Sequence, residues 1–307
     1  MYKRFELHNH TIESDGSLSA KELIDYMVEN EVDAFALTDH NTISGHYKIK
    51  KILEKEKPPI ECILGMEYTT YYGHILCFNL NEYIPWENID KECAELLLGS
   101  IKKTGALAGI AHPFSYGAPI AQGCRWEMKL NDYSVLDFIE IINNPESLEA
   151  NEQALMWWQS LCLSGLRIAM TAGMDLHRKD GFENKFAVYV KTRPGIGAQT
   201  ALVRAIKTQK TYVTKGPVFE ALLQKNTAVK CRIENIVKKG FDMQAVPFWT
   251  VEYTSPSGSV VRKLDKSEKM SFLPLSEFRD SSVIIVKLYA GEACMENLTA
   301  VAPVIYC

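Results

Sequence analysis

The sequence predicts an α/β fold followed by a small all-β domain. From residue 3 to about residue 215, short apolar runs alternate with longer helical patterns, which is typical of βα units that close into a sheet or barrel. After Lys215, Gly216 and Pro217 this alternation stops and only strand patterns follow. A chain of 307 residues exceeds the usual single-domain size, although an α/β barrel can use most of it. We therefore divide the chain into an α/β domain at residues 1–216 and a small β domain at residues 217–307.

Eight strands are predicted in the first domain. Each is a short run rich in apolar and β-branched residues, bounded by polar residues or glycine. We place these strands at Arg4–Leu7, Ala34–Thr38, Cys62–Met66, His74–Phe78, Leu107–Ala111, Phe138–Ile142, Ile168–Thr171 and Phe186–Val190.

Helical patterns lie between these strands. In SLSAKELIDYMVEN, Ser19 and Glu22 form a capping box ahead of apolar residues at helical spacing, so a helix begins there. Four further helices are predicted at Gly45–Glu56, Ile89–Lys103, Ser147–Leu163 and Gln199–Thr208.

The C-terminal residues show a different pattern. FWTVEYTSPSGSVVRKL predicts two strands joined at a Ser-Pro-Ser-Gly turn, and SSVIIVKLYA predicts another strand with no helix beside it. We expect a sandwich-like β domain, which offers a surface for forming an oligomer or covering a pocket.

Composition narrows the class of protein. Hydrophobic residues at 47% and charged residues at 23% are ordinary soluble usage, and no stretch approaches the ~20 apolar residues of a membrane span. The net charge of −4 and the lack of a long basic run give no strong nucleic-acid signal. Eight scattered cysteines without a C-x-x-C pair, behind an N-terminus with no signal-peptide pattern, indicate a cytoplasmic protein.

The positions of the histidines predict a functional site. Of the seven histidines, His8, His40, His112 and His177 each follow a predicted strand. Because the loops after the strands of an α/β barrel gather at one face, these side chains should converge. His46, one turn inside a predicted helix, does not fit this arrangement, and we expect its side chain to be exposed.

Carboxylates occur in the same junctions. Asp15, Asp39, Glu67 and Asp175 each lie within a few residues of a histidine or a strand end. The two-residue period of a strand places His8 and His10 on one face, so that both can hold one metal ion. Imidazoles and carboxylates without thiolates suit Zn²⁺, Mn²⁺ or Fe²⁺, and the sequence does not choose among them.

In order along the chain, these motifs resemble a known family. His-x-His with Asp15, Thr-Asp-His-Asn, Gly-x-Glu followed by Gly-His-Ile, Ala-His-Pro and Asp-x-His together resemble the polymerase and histidinol phosphatase (PHP) family of metal-dependent phosphoesterases. The resemblance covers roughly residues 1 to 215. It implies a distorted (β/α)7 TIM-like barrel with two to three divalent metal ions. The later stretch TYVTKGP resembles the carbaryl-hydrolase-like branch, which implies that non-phosphate esters are possible substrates.

The resemblance also implies three ligand sets, of which the first two share Glu67. By resemblance, one metal would be held by His8, His10, Glu67 and Asp175. A second would be held by Glu67, His74 and His112. The third would be held by Asp15, His40 and His177.

Several functions remain open on this reading. The leading hypothesis is a phosphatase or phosphodiesterase that cleaves a small organic phosphate or nucleotide through a metal-bridging hydroxide held near Glu67. Asp39 is a candidate to orient a ligand or move a proton, or simply to cap the following turn. Arg125 and Arg178 are candidates to bind phosphate oxygens. The alternatives are a metal-dependent carboxylic or carbamate ester hydrolase and a non-catalytic, metal-stabilised binding protein. The motif G-x-x-x-x-G-K-S/T is missing from the sequence, and so is G-x-S-x-G, which argues against a P-loop or a simple serine hydrolase.

Overall fold

The computed structural model describes residues 1–225, 227–235, 243–278 and 282–307. In the first of these ranges the strands are β1 (Tyr2–Glu6), β2 (Ala34–Leu37), β3 (Glu61–Thr70), β4 (Gly73–Phe78), β5 (Leu107–Ile110), β6 (Phe138–Asn143), β7 (Ala169–Gly173), β8 (Ala187–Lys191), β9 (Thr211–Thr214) and β10 (Val218–Gln224). The later strands are β11 (Ala228–Glu234), β12 (Phe248–Ser255), β13 (Gly258–Asp265), β14 (Met270–Pro274), β15 (Val283–Ala290), β16 (Leu298–Val301) and β17 (Ile305–Tyr306). All eight strands predicted for the first domain are confirmed, as is the β12–β13 hairpin.

The helices are α1 (Ala20–Glu29), α2 (Ser44–Glu56), α3 (Ala94–Lys103), α4 (Leu148–Leu163) and α5 (Ala198–Lys207). The capping box of α1 is confirmed, because the Ser19 hydroxyl accepts from Glu22 N and the Glu22 carboxylate accepts from Ser19 N. None of the helices in the described part of the chain combines the length and apolar character that a membrane crossing needs.

His46 lies in a helix as predicted, but the prediction that its side chain is exposed is wrong. His46 lies in the first turn of α2, where it is 7% exposed, and its Nε2–H donates to the carbonyl of Gly65 at 2.8 Å. Burial lowers the pKa of His46, so the neutral ring with one N–H is favoured. The prediction failed because it did not allow for the face of α2 that packs on β3.

Among the described residues, 14 of the strands form one large mixed sheet. Its order is β13-β12-β15-β16-β9-β8-β1-β2-β3-β4-β5-β6-β7, with β17 beside β15, while β10, β11 and β14 form a separate sheet. The pairs β1–β2, β2–β3, β5–β6 and β6–β7 are parallel. β4 is antiparallel to both of its neighbours, so the β3–β4 hairpin interrupts the predicted βα alternation.

The mixed α/β fold is confirmed, but the sheet does not close as a regular barrel. Among the described strands, the hydrogen-bonded order ends at β7 without a ladder back to β1. In the described residues, these two segments are paired by one parallel bridge between Asn9 and Leu176. It is formed by two backbone hydrogen bonds: His10 N–H donates to the Leu176 carbonyl, and Leu176 N–H donates to the His8 carbonyl. The chain just beyond β1 is therefore fixed against the chain just beyond β7.

The C-terminal strands continue the same sheet. β16 pairs antiparallel with β9, and β15 pairs with β16. Alternate residues of β15 face two different cores: Ile285 packs in the core of the α/β segment, and Ile284 packs in a second core formed largely by C-terminal strands. The chain thus has two hydrophobic cores, but one sheet continues from the first to the second. The domain boundary between residues 216 and 217 therefore stays a prediction.

Candidate metal centre

The first loop of the site follows β1 and carries two buried histidines. His8 and His10 are fully buried, although they lie beyond the last residue of the strand. The Leu176 hydrogen bonds hold the loop on one side. On the other, Asp39 accepts from Thr11 N at 2.6 Å and from the Ser14 hydroxyl at 2.8 Å.

Glu67 occupies the centre of the site. It lies within β3, is fully buried, and presents its two carboxylate oxygens to different histidines. Its Oε1 lies 2.8 Å from His74 Nδ1 and 3.1 Å from His112 Nε2. The β3–β4 hairpin supplies Glu67 and His74 from adjacent strands, and the loop after β5 supplies His112.

The other oxygen of Glu67 faces three histidines. Its Oε2 lies 3.1 Å from His8 Nε2, 3.3 Å from His10 Nε2 and 3.0 Å from His40 Nδ1. A carboxylate with imidazoles at both oxygens has the arrangement of a ligand that bridges two metal ions.

Asp175 and Asp15 complete the cluster. Asp175 Oδ1 lies 3.1 Å from His10 Nε2 and 3.4 Å from His8 Nε2. Nearer the surface, Asp15 Oδ1 lies 3.2 Å from His177 Nε2, and Asp15 Oδ2 lies 3.6 Å from His40 Nε2. Asp175 has a φ of +47°, a region that non-glycine residues seldom adopt and that is concentrated at functional sites.

All nine residues predicted as metal ligands thus meet in one cluster. Three groups of ligand atoms lie mutually within 4.8 Å, and each can hold a metal ion: His10, Asp15, His40 and His177; His8, His10, Glu67 and Asp175; His40, Glu67 and His74. The second group is the set that the resemblance implies for one metal. The other two groups differ from the implied sets. The group nearest the surface, Asp15, His40 and His177, also includes His10. In the remaining group, His40 takes the place of His112 beside Glu67 and His74.

Electrostatics favour cation binding. Burial alone would raise the pKa of the Glu67 carboxyl, but His8 and His74 hold it well below its usual range. The Asp175 pKa is likewise lowered by His8 and His10 against the effect of burial. The bond to Glu67 outweighs burial at His112 and raises its pKa to about 9. The carboxyl groups of Glu67 and Asp175 therefore stay ionised. At His112, a metal ion would compete with a proton for the ring nitrogen.

Unpartnered atoms show that the cluster fits a metal. Glu67 Oε2 and His8 Nε2 are buried and make no hydrogen bond. Leaving such atoms unpaired costs on the order of 1–3 kcal/mol each. Both belong to the group of four that Asp175 and His10 complete, and imidazole nitrogen with carboxylate oxygen is a donor set for Zn²⁺, Mn²⁺ or Fe²⁺.

Sequence reasoning missed Glu140, which lies in β6 and is 1% exposed. Its Oε1 lies 3.1 Å from His8 Nδ1 and its Oε2 accepts from His112 N at 3.0 Å. It also accepts from Asn143 Nδ2, whose other contact is Asp175. The available signal was a single charged residue in FIEIIN, a strand that is otherwise apolar until its last residue.

The remaining predicted residues lie around the cluster. Asp39 is 1% exposed and contacts the loop that carries His10 and Asp15. Arg125 is exposed, with its guanidinium 5.8 Å from the centre of the Phe114 ring, and Arg178 is exposed directly after His177. Both arginines therefore lie in loops that also carry predicted ligands, with side chains open to solvent.

The comparisons with known proteins agree with the motifs. Residues 6–113 match the model of the PHP domain. This range includes seven of the nine predicted ligands, all except Asp175 and His177. Residues 6–113 therefore resemble a PHP domain.

Curated relatives match over short stretches. An uncharacterized protein of Methanocaldococcus jannaschii is 42% identical over 84 residues, which is 27% of this chain and 46% of that protein. A 5'-3' exoribonuclease of Haemophilus influenzae is 34% identical over 89 residues, which is 28% of this chain and 32% of that enzyme. The chain thus spans less than half the length of these relatives.

A crystal structure from Bacteroides vulgatus resembles the whole chain. It is a two-domain protein described as containing a predicted PHP-like metal-dependent phosphoesterase, and it aligns with a TM-score of 0.59 over 99% of this chain and 95% of that one. At 16% sequence identity, this likeness shows a shared fold.

Proposed function

We propose that this protein is a metal-dependent phosphoesterase that uses two or three divalent ions, zinc, manganese or iron. The observation that carries the proposal is the position of Glu67, whose two carboxylate oxygens face separate sets of imidazole nitrogens at 2.8–3.3 Å. The proposal includes the finer description of the fold as a distorted barrel with a C-terminal β domain. The name of the exoribonuclease relative supports ester cleavage at phosphorus as the reaction class.

The buried residues have defined parts in this proposal. Glu67 would bridge two ions, with His8, His10 and Asp175 on one side and His74 and His112 on the other. The rim residues Asp15, His40 and His177 would hold a third ion. Ions held there would lower the pKa of a coordinated water and neutralise charge on the ester oxygens.

The residues around the cluster would hold its first loop in place and bind the substrate. Asp39 holds the first loop against β2, which keeps His10 and Asp15 in place. Arg125 and Arg178 extend from loops of the site, and a guanidinium there suits the non-bridging oxygens of a phosphate. We propose a small organic phosphate or a nucleotide as the substrate.

Model esters test the proposal. The purified protein is assayed with p-nitrophenyl phosphate, bis-p-nitrophenyl phosphate and p-nitrophenyl acetate in the presence of Mn²⁺, Zn²⁺ or Fe²⁺, with elemental analysis in parallel. We expect metal-dependent release of nitrophenol from at least one phosphate ester. Turnover of the acetate alone would replace phosphoesterase by carboxylic ester hydrolase. Fully metallated protein that turns over none of the esters would favour a binding role.

A further inference from the structure

The side chain of Glu140 spans two parts of the metal centre without being among its predicted ligands. It is the charged residue of β6, a strand that is buried along its whole length. A buried carboxylate is costly unless it is well hydrogen-bonded, and Glu140 receives hydrogen bonds from three donors.

The first contact of Glu140 determines which ring nitrogen of His8 carries the proton. A carboxylate accepts hydrogen bonds, so the Nδ1 of His8, 3.1 Å from Glu140 Oε1, carries the proton in this pair. In the neutral ring, Nε2 is then the nitrogen with a free lone pair. That nitrogen lies 3.1 Å from Glu67 Oε2 and has no hydrogen-bond partner of its own.

The second contact fixes a backbone on the other side of Glu67. Oε2 of Glu140 accepts from the backbone N–H of His112 at 3.0 Å, where the chain leaves β5 with a φ of +23°. This bond holds a backbone conformation that is unfavourable for a side-chain-bearing residue. It thereby directs the His112 ring to Glu67 Oε1 at 3.1 Å.

The neighbouring strand leaves room for this arrangement. A Cβ placed on Gly173 would lie 2.6 Å from Glu140 Oε1 and 2.4 Å from the Cβ of His8. Only glycine allows β7 to approach both residues so closely. The position of Glu140 is therefore enforced by packing as well as by hydrogen bonds.

We propose that Glu140 is a positioning residue that orients His8 and His112 together and so sets the metal affinity on both sides of Glu67. The inference rests on the proposed function to the extent that His8 and His112 are ligands. Carboxylates that hold ligating histidines typically contribute about 10- to 100-fold to metal affinity.

The test compares Glu140→Gln with Glu220→Gln in the full chain. The first variant keeps the size of the side chain and removes its charge. The second is a matched control, because Glu220 is also a buried strand glutamate but contacts Tyr2, Lys191 and Arg232 instead of the cluster. Mn²⁺ and Zn²⁺ dissociation constants are measured by calorimetry on metal-free protein, with circular dichroism as the check of folding.

We expect Glu140→Gln to weaken binding by about 10- to 100-fold while Glu220→Gln binds as the wild type does. Nitrogen-detected NMR of metal-free wild type should show the His8 ring protonated at Nδ1, and Glu140→Gln should change that pattern.

Unchanged dissociation constants in a folded Glu140→Gln protein would overturn the inference, and so would an equal loss in both variants. If the wild type itself binds no metal, the proposed function fails first, so the two failures are distinguishable. Should Glu140→Gln not fold, Glu140→Asp, which retains the charge, is expected to bind metal more weakly than wild type, and wild-type affinity there would equally overturn the inference.

Discussion

The Asp39 carboxylate accepts the backbone N–H of Thr11 at 2.6 Å. This bond joins the end of β2 to the loop after β1, and the Thr11 and Ser14 hydroxyls bond to the same carboxylate. The loop that carries His10 and Asp15 is thus fixed by a residue next to His40 in sequence. Two strand ends of the site are ordered by one buried side chain.

Replacing Asp39 should disorder this loop. We expect Asp39→Ala to lower phosphoesterase activity by about 10- to 100-fold and to weaken metal binding, because His10 and Asp15 lose their support. Activity and metal content are measured side by side. Asp25→Ala, at an exposed position of α1 paired with Lys21, is the control and should match the wild type. Full activity in Asp39→Ala would show that the loop holds its shape without this carboxylate.

Removing the central ligands should abolish hydrolysis. We expect Glu67→Ala and His40→Ala to lose detectable turnover of phosphate esters while their circular dichroism spectra stay like that of the wild type. The reason is that Glu67 contacts five histidines and His40 lies between Glu67 and Asp15. Unchanged turnover in either variant would remove the metal assignment.

Metal addition should stabilise the folded protein. A ligand that binds only the native state adds about 2.7 kcal/mol at a hundred times its dissociation constant, which predicts a rise in Tm of several degrees. Differential scanning fluorimetry of chelator-treated protein, with and without Mn²⁺, measures the shift. Glu67→Gln, which removes the central charge, should show little or none of it. An identical shift in that variant would place metal binding elsewhere.

Gly73 should resist substitution. It has a φ of +141°, and an added Cβ would lie 2.7 Å from the ring of Trp126. We expect Gly73→Ala to lower the free energy of unfolding by about 1–3 kcal/mol and to displace the adjacent His74. Gly99→Ala in α3 is the control: a Cβ there meets nothing within 4 Å, and alanine favours the helix by up to about 1 kcal/mol. Urea denaturation of both variants should therefore give changes of opposite sign, and equal changes would contradict the packing argument.

Acid should weaken the contact between β10 and β8. Burial alone raises the pKa of Glu220, but Lys191, Tyr2 and Arg232 lower it to about 2. A carboxyl whose pKa is lower in the folded chain stabilises the fold above its unfolded value near 4.5, and this stability is lost as the pH falls towards 2. Between pH 4.5 and 2, Glu220→Gln should thus lose less stability than the wild type. Parallel pH profiles of Tm in the two proteins would argue against this.

The positions of the eight strands predicted in the first domain, and all nine clustered residues, followed from the sequence. His8, His40 and His112 each follow a strand, and this position was informative because parallel strands of one sheet bring their carboxyl ends to the same edge. The short apolar runs of β2 and β6, and the capping box at Ser19, are local features that the sequence displays directly.

Other features required the folded chain. The antiparallel β4, the single bridge that joins Asn9 to Leu176 and the sheet shared between β9 and β16 depend on pairings between distant residues. The burial of His46 depends on which face of α2 meets β3. Local patterns do not encode such pairings, because they are decided by how whole elements pack.

Which side chains meet at one end of the sheet can therefore be predicted from residue type and from position after a strand. How they meet depends on the folded chain: the two oxygens of Glu67 face different histidines, and Glu140 contacts His8 and His112 from the side away from Glu67. The difference arises because residue type and position in a strand are local properties of the chain. The direction of a ring nitrogen is set instead by hydrogen bonds from residues more than a hundred positions away, as between His8 and Glu140.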